Sequence, residues 1–432
     1  MHILIVTDQH PDSLGGAQVA IRAQRCALEH AGHLVTIVAP AAPTTPRRGT
    51  ARQGAESTDA GAPVRETAVD PVRPAADELP AGSIIALPSL PITRDREYAM
   101  SWPGARTDRA LAAALRGLPP VDLVHLEGDF WGALIGLRAA RGLRVPVLHT
   151  LHNNVDGGTR AVTPLAPIVF QGLRLWRALA LGRPRGAVDR DARGAWRYLA
   201  ELAAEATVVS APSKHFADQL MRRGVAREVL VTRNGVDDEL IAAVRGVPRA
   251  ERSRPRLVWL GRMSHEKRVL EFIDALALSR VDADVTLYGA GLLLPQVRAR
   301  VESLGLWDRV TLPGPVPHEA ALAAIRDADA LVQTSIGFET QGLTPFEAAL
   351  VGTPTIFCDP AIAADVAVTP SWLVADSSVE ALAATLAEAV TSLAAAPGEL
   401  RVPFAQAREF LQSAQSERLL EVYERARAAR KP

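Results

Sequence analysis

Cysteine is nearly absent: Cys26 and Cys358 are the two in 432 residues. They stand far apart, each near the apolar side of an expected element. That predicts two buried thiols, and it excludes a disulfide-stapled module or a zinc site with closely spaced ligands. Net charge is absent too, since Lys+Arg and Asp+Glu each total 48. Non-specific nucleic-acid binding needs a basic excess, so no nucleic-acid partner is expected. No uncharged apolar run reaches the ~18 residues of a membrane-spanning helix. The opening MHILIVTDQH has no basic segment before its apolar run, which stops at Asp8. It is expected to be a buried strand rather than a signal peptide, and the compartment to be the cytoplasm. The dinucleotide fingerprint G-x-G-x-x-G does not follow that strand.

What is there belongs to a soluble globular protein, 48% hydrophobic and 22% charged. At ~100–200 residues per domain, two or three domains are expected. Ile3–Val6, a polar loop to Gly16, a helical pattern over Ala17–His30 and a second apolar run at Leu34–Ala39 make a βαβ unit. Further strands are predicted at Val121–Leu126, Val145–His149, Ala206–Ser210 and Val229–Thr232, with helices near 131–141 and 187–204. Residues 41–80 are rich in Pro, Ala, Thr, Gly and Arg and read as a long mobile excursion. The charged, Pro-containing stretch 244–256 is the best linker. A second strand–helix series runs from Leu257 to Phe357, and a long amphipathic helix near 406–429 closes the chain. The expected organisation is a first domain over 1–245, a second over 246–405, and a helix over 406–432 crossing back to the first. Two doubly wound α/β domains bind ligands at strand C-termini, so the cleft between them becomes the site.

Three segments fall at such strand ends. Pro11–Gly16 precedes the first helix, where Gly15 and Gly16 would expose N–H groups to an anion or simply form a βα turn. Gly261-Arg-Met-Ser-His-Glu-Lys267 follows Leu257–Leu260 and brings Arg262 and Lys267 together, a pair suited to a diphosphate leaving group. Glu339-Thr-Gln-Gly-Leu-Thr-Pro-Phe-Glu347 follows Ala330–Gln333, with a helix starting near Thr344 or Pro345. Gly342 and Leu343 would offer N–H groups to a phosphate there. Two carboxylates beside a phosphate make sense if they accept bonds from sugar hydroxyls. Two Asp-x-Asp pairs, Asp282–Asp284 and Asp327–Asp329, lie at element ends.

The Glu339–Glu347 segment resembles the E-x7-E motif of family 4 glycosyltransferases, retaining enzymes of the GT-B fold. Gly15-Gly16, Ala31-Gly-His33, Thr150-Leu-His152, Asn234-Gly-Val-Asp237, Gly261-Arg262 to Lys267, Gly289-Ala-Gly291, Gly314-Pro-Val316, Ala328-Asp-Ala330 and Glu347-Ala-Ala-Leu-Val-Gly-Thr-Pro354 fall in that family's order along nearly the whole chain. The resemblance implies two Rossmann-like domains facing each other across a cleft, a nucleotide-sugar co-substrate with UDP-glucose foremost, and neither cofactor nor metal. By position it implies that Arg262 and Lys267 bind the diphosphate, Glu347 the ribose and Glu339 the donor sugar. It places Gly15, Gly16, Gly342, Leu343 and Thr344 in the donor site, Val316 near the base and His152 beside the sugar. The family often has Glu-Gly-Phe-Gly where this chain has Glu339-Thr-Gln-Gly342. That variant is similar to bacterial enzymes that glucosylate diacylglycerol, and Gln341 leaves the donor sugar open.

Thr163–Arg185 is apolar, with Phe170 and Trp176 among Arg174, Arg177, Arg183 and Arg185. It reads either as an interfacial helix on an anionic membrane or as an amphipathic helix packed on the first domain. The acceptor is expected to be a lipid or a glycan; the first reading points to a lipid, with the protein peripheral on the inner membrane face. A transferase acting on a soluble acceptor, and a degenerate non-catalytic binding protein, are the rivals.

Overall fold

The structure, a computed structural model, describes residues 1–13, 16–42, 84–92, 98–249 and 254–429. The excursion expected at 41–80 lies outside the described residues beyond 42, and Gly15 lies outside them as well.

Apolar runs form the strands of the first sheet: β1 (His2–Thr7), β2 (Leu34–Pro40), β3 (Ile84–Leu87), then β6 (Leu123–Glu127), β7 (Val147–Thr150), β8 (Val208–Ala211) and β9 (Leu230–Val231); the short β4 (Ser89–Pro91) and β5 (Ala99–Ser101) pair separately. The order is β3-β2-β1-β6-β7-β8-β9, all parallel. Both faces are covered. Leu4 and Val6 of β1 face one core and Ile3 and Ile5 the other, as a period of two requires. The helices of this half are α1 (Gly16–His30), α2 (Ala105–Leu115), α3 (Trp131–Leu143), α4 (Val155–Val162), α5 (Ala166–Leu181), α6 (Gly194–Ala203) and α7 (Lys214–Arg222). Residues 187–193, expected to be helical, precede α6 instead.

The second sheet joins β10 (Arg256–Leu260), β11 (Asp284–Tyr288), β12 (Val310–Gly314), β13 (Ala330–Gln333), β14 (Thr355–Phe357) and β15 (Ser371–Leu373) in the order β12-β11-β10-β13-β14-β15. Around it lie α8 (Asp238–Arg245), α9 (Val269–Ser279), α10 (Leu294–Ser303), α11 (His318–Asp327), α12 (Leu343–Val351), α13 (Pro360–Val366), α14 (Val379–Ala395) and α15 (Phe404–Ala407). Strand order reverses beside β1 and β6 in one sheet and beside β10 and β13 in the other. Those are the topological switch points of two Rossmann-like domains, and the fold is GT-B.

Three expectations are corrected. A first domain ending at 245 would include α8, but Ile241 and Val244 are buried against Leu322, Ile325 and Phe346 of the second. The chain therefore crosses near 232–237, ahead of the charged stretch taken for the linker. It returns before α16 (Gln412–Ala428), whose Leu419 and Tyr423 are buried on the first sheet. The two crossings touch: Val236 N–H donates to Phe410 O (3.0 Å) and Gln412 N–H to Val236 O (2.8 Å). A Cβ on Gly235 would stand 2.4 Å from Gln412 Cα, so glycine is required there. Cys26, expected to be buried, is exposed on α1; Cys358 is buried, which pushes its thiol up to about 12.

Candidate active site

The donor side is built on the ends of β10 and β13. Trp259 Nε1 donates to Thr334 Oγ1 (2.9 Å), and Thr334 in turn donates to the Lys267 carbonyl. These buried bonds fix the 3₁₀ turn His265–Lys267 that carries the ammonium. Lys267 Nζ pairs with Glu339 Oε1, which also accepts from Ser335 Oγ (2.9 Å). Lys267, Thr334, Ser335, Glu339, Gly342 and Thr344 line one cleft. Gly342 has φ +70° at the N-cap of α12, and Glu339 folds back to within 3.4 Å of where its Cβ would be. Helix α12 starts at Leu343, a residue earlier than the sequence signals suggest.

Arg262 is exposed beyond β10 and makes no side-chain hydrogen bond or ion pair among the described residues. Glu347 sits at the other end of the site, buried, accepting from His318 Nε2 (2.6 Å). Burial would lower the His318 pKa, but the bond and the Glu347 charge raise it. Val316, half-buried, is two residues before His318.

The first domain faces this with β1, β6 and β7. Asp8 accepts backbone N–H groups of Asp129 (2.8 Å), Phe130 (3.1 Å) and Gly132 (2.7 Å), so it holds the N-terminus of α3. Burial raises its pKa to about 6. Asp129 holds the next loop, accepting from His152 N (3.0 Å), Asn153 N (2.7 Å) and Asn153 Nδ2 (2.7 Å). The His152 imidazole bonds Glu127 through Nε2. Burial opposes the charge on both, yet His125 and His152 together hold Glu127 at about 2, and Glu127 keeps the His152 pKa raised. Burial takes His125 down to about 4. His149 is buried, with Nε2 on Gly128 O (2.9 Å). Gly16 meets the opposite domain: its Cβ position is 3.6 Å from Leu343 Cδ1.

Contacts across the cleft fall on the loop that bears Glu339. His215 Nε2 donates to Glu339 O (2.8 Å), Ser213 Oγ donates to Thr340 O, and Gln341 exchanges bonds with Asn234 N (3.0 Å) and O (2.9 Å). Gln341 is buried in that exchange, with both ends of its amide bonded to the Asn234 main chain. Sequence reasoning missed His215, Ser213, Glu127 and His318. Ser213 before Lys214-His215 is a helix-start signal, but nothing local shows that the cap reaches the other domain. The Asp-x-Asp carboxylates face arginines: Asp282 and Asp284 pair with Arg254, Asp329 with Arg249 and Asp327 with Arg326.

Two Rossmann-like domains with a basic residue and a carboxylate at the second switch point define a GT-B glycosyltransferase. The chain belongs to glycosyltransferase family 4: the profile for Glycosyltransferase Family 4 matches residues 14–240, and that for Glycosyl transferases group 1 matches 243–402. It is a hexosyltransferase of that type. It is 29% identical over 295 residues to a 2-deoxystreptamine glucosyltransferase of Streptomyces kanamyceticus, covering 66% of this chain and 73% of that one. It is 24% identical over 287 residues to an alpha-monoglucosyldiacylglycerol synthase of Streptococcus pneumoniae, covering 63% and 59%. Among solved structures, Anabaena HepE in complex with UDP and glucose superposes with a TM-score of 0.63 at 16% identity, covering 98% of this chain and 100% of that one. Sucrose-phosphate synthase from Thermosynechococcus elongatus gives 0.63 at 20%, covering 99% of each.

Proposed function

We propose that the protein is a retaining transferase that moves a hexose from a UDP-sugar, UDP-glucose first, to a hydroxyl of a membrane lipid. The observation that carries the transfer chemistry is the Lys267–Glu339 pair in the cleft lined by the ends of β10 and β13. In this reading the diphosphate takes the Lys267 ammonium, Arg262 closes on it from the exposed turn, and the freed Glu339 carboxylate accepts sugar hydroxyls. Backbone N–H groups of Gly342 and Leu343, with Thr344, meet phosphate or sugar at the α12 N-terminus. Glu347 exchanges His318 for the ribose hydroxyls, Val316 lies by the base, and His152 faces the sugar with the Gly15–Gly16 loop beside it. Once freed from Lys267, the Glu339 carboxylate is occupied by sugar hydroxyls, so in this reading it is not the nucleophile. The acceptor oxygen therefore attacks the face the diphosphate leaves: the C1–O bond to phosphate breaks, the new C1–O bond forms, and the acceptor proton passes to the departing phosphate oxygen.

The lipid acceptor rests on α5. Its exposed residues Ile168 (66%), Leu175 (62%) and Leu179 (77%) form one stripe, with exposed Leu165 at its N-cap. Exposed Arg183 and Arg185 follow the helix. Phe170 and Trp176, expected to touch the membrane, do not: Phe170 is 2% exposed, and Trp176 packs on the core and against Trp102 at 5.4 Å. Arg174 and Arg177 are likewise taken, by Glu201 and Glu205. No helix among the described residues is long and apolar enough to cross a membrane; the contact proposed is a peripheral one on the inner face.

The test supplies UDP-sugars with diacylglycerol in anionic vesicles. Wild type is expected to sediment with the vesicles in a salt-sensitive way and to glucosylate the lipid. A variant with Ile168, Leu175 and Leu179 changed to Ser should stay folded and stay in the supernatant. Transfer to a water-soluble amino-sugar acceptor with none to lipid would overturn the lipid reading.

The leaving group is neutralised here by Lys267, Arg262 and a helix N-terminus, and the Asp-x-Asp carboxylates are engaged by arginines. Turnover is therefore expected to persist after exhaustive EDTA treatment. Loss restored by magnesium or manganese would contradict this.

A further inference from the structure

We infer that His215, on the first domain, is a positioning residue for Glu339 on the second, and that it does this as an imidazolium ion. The inference rests on the reading of Glu339 as the residue that meets the donor sugar. The His215 ring lies between two groups that only accept. Nδ1 faces the Asp365 carboxylate, and Nε2 faces the Glu339 main-chain carbonyl at 2.8 Å. A neutral imidazole has one N–H and satisfies one of them; the imidazolium satisfies both. The same Asp365 oxygen also accepts the His215 backbone N–H at 3.1 Å, and both bonds favour the ionised carboxylate. Burial would raise the Asp365 pKa, but the bonds to His215 and the Arg233 charge hold it below the usual carboxylate range. Burial would lower the His215 pKa, but Asp365, the Glu339 carbonyl and Asp359 raise it.

The charged groups around His215 are accounted for. Asp365 comes from α13 and Asp359 from its N-cap, while Arg233 lies on the first crossing. Lys214 is turned to Asp218 on their own helix, and the Glu339 carboxylate is turned to Lys267. The bond to Glu339 is one of three on consecutive residues, with Ser213 on Thr340 and Asn234 on Gln341. The first domain thus grips the backbone carbonyls of Glu339 and Thr340, and the crossing grips the Gln341 side chain, while Lys267 and Ser335 of the second domain grip the carboxylate through Oε1. Losing the His215 proton removes one grip and leaves the nucleotide contacts of the second domain untouched.

The sign follows. A raised pKa means that the contribution is present at low pH and is lost as pH rises through the folded pKa. Turnover at saturating donor should fall along that limb, while the UDP dissociation constant keeps the same pH dependence in wild type and His215→Gln. The experiment measures kcat and donor KM from pH 5.5 to 9, and UDP binding by calorimetry, for wild type, Asp365→Asn and His215→Gln. Asp365→Asn removes the negative partner and should move the alkaline limb down by about one pH unit. His215→Gln should abolish that limb and lower kcat by about tenfold or more, with UDP affinity within about twofold. A limb unmoved in Asp365→Asn, or retained in His215→Gln, overturns the inference.

If wild type turns over no UDP-sugar, it is the functional reading that fails. Hydrogen exchange of amides 339–343 then decides the positioning. Extra opening of wild type at pH 8 over pH 6, beyond the intrinsic rate change, and equal opening of His215→Gln at both, supports it. Identical protection in the two proteins overturns it.

Discussion

Lys267→Ala is expected to lower turnover at saturating donor by ~10²–10³, the loss typical of removing one preorganised group aimed at developing charge. Lys267 is held from two directions. Its backbone is fixed by the Trp259–Thr334 chain, and its ammonium already lies on Glu339 inside the cleft. A charge placed in advance costs little reorganisation when the diphosphate departs. The substitution also leaves Glu339 without its cation, so the sugar-facing carboxylate loses its orientation together with the leaving group's partner. Arg262→Ala should cost less, because that guanidinium is exposed and must be ordered by the substrate. Steady-state assays with saturating donor check both, and near-wild-type turnover in Lys267→Ala would remove the ammonium from the reaction.

The largest expected stability effect lies elsewhere, in Glu205→Ala. The Glu205 carboxylate accepts from Arg177 Nη2 (2.6 Å) and Arg141 Nη2 (2.7 Å). The side chains of Arg177 and Glu205 are 1% and 2% exposed. Removing the carboxylate leaves a guanidinium buried without its counter-charge, which costs about 3–5 kcal/mol when one partner of a buried pair is lost. The denaturant midpoint of the first domain's transition should fall accordingly, while the second domain's transition stays in place. An unchanged first transition would mean that the guanidinium finds water or another acceptor. The same substitution should loosen α5, because Arg177 ties that helix to the segment after α6. Vesicle binding offers a second readout of it.

These pairs also show where sequence reading stopped. The strands of both sheets were legible because a parallel strand covered on two faces must be apolar at successive positions, as in Ile3–Val6 and Ala330–Val332. The donor-side motifs were legible because each sits just after such a strand. Orientation was not. Helix α5 carries apolar residues around most of its circumference, so periodicity alone cannot say whether Phe170 or Ile168 points inward. Nor could it say that Arg177 would find a carboxylate at Glu205. The domain boundary failed for a related reason. The stretch after residue 245 looks like a linker by composition, but Ile241 and Val244 choose the second core through contacts distant in sequence. The bonds made by His215, Ser213 and Gln341 were invisible because their partners lie outside their own domain, and a local pattern does not encode a bond across a cleft.

The paired crossings at Val236 and Leu411 have a mechanical consequence. A single strand between two bodies acts as a swivel, free to bend in two directions and to twist. Here two strands lie side by side, bonded through Val236 and pressed together where Gly235 meets Gln412. Twisting one domain against the other would shear that bridge, and sideways bending would stretch one strand while compressing the other. The softest remaining motion is rotation about an axis lying across both strands. Along that path the His215, Ser213 and Asn234 contacts part or close in a fixed order, according to their distance from the axis. Gln341, bonded to Asn234 one residue from Gly235, sits nearest the pivot and travels least.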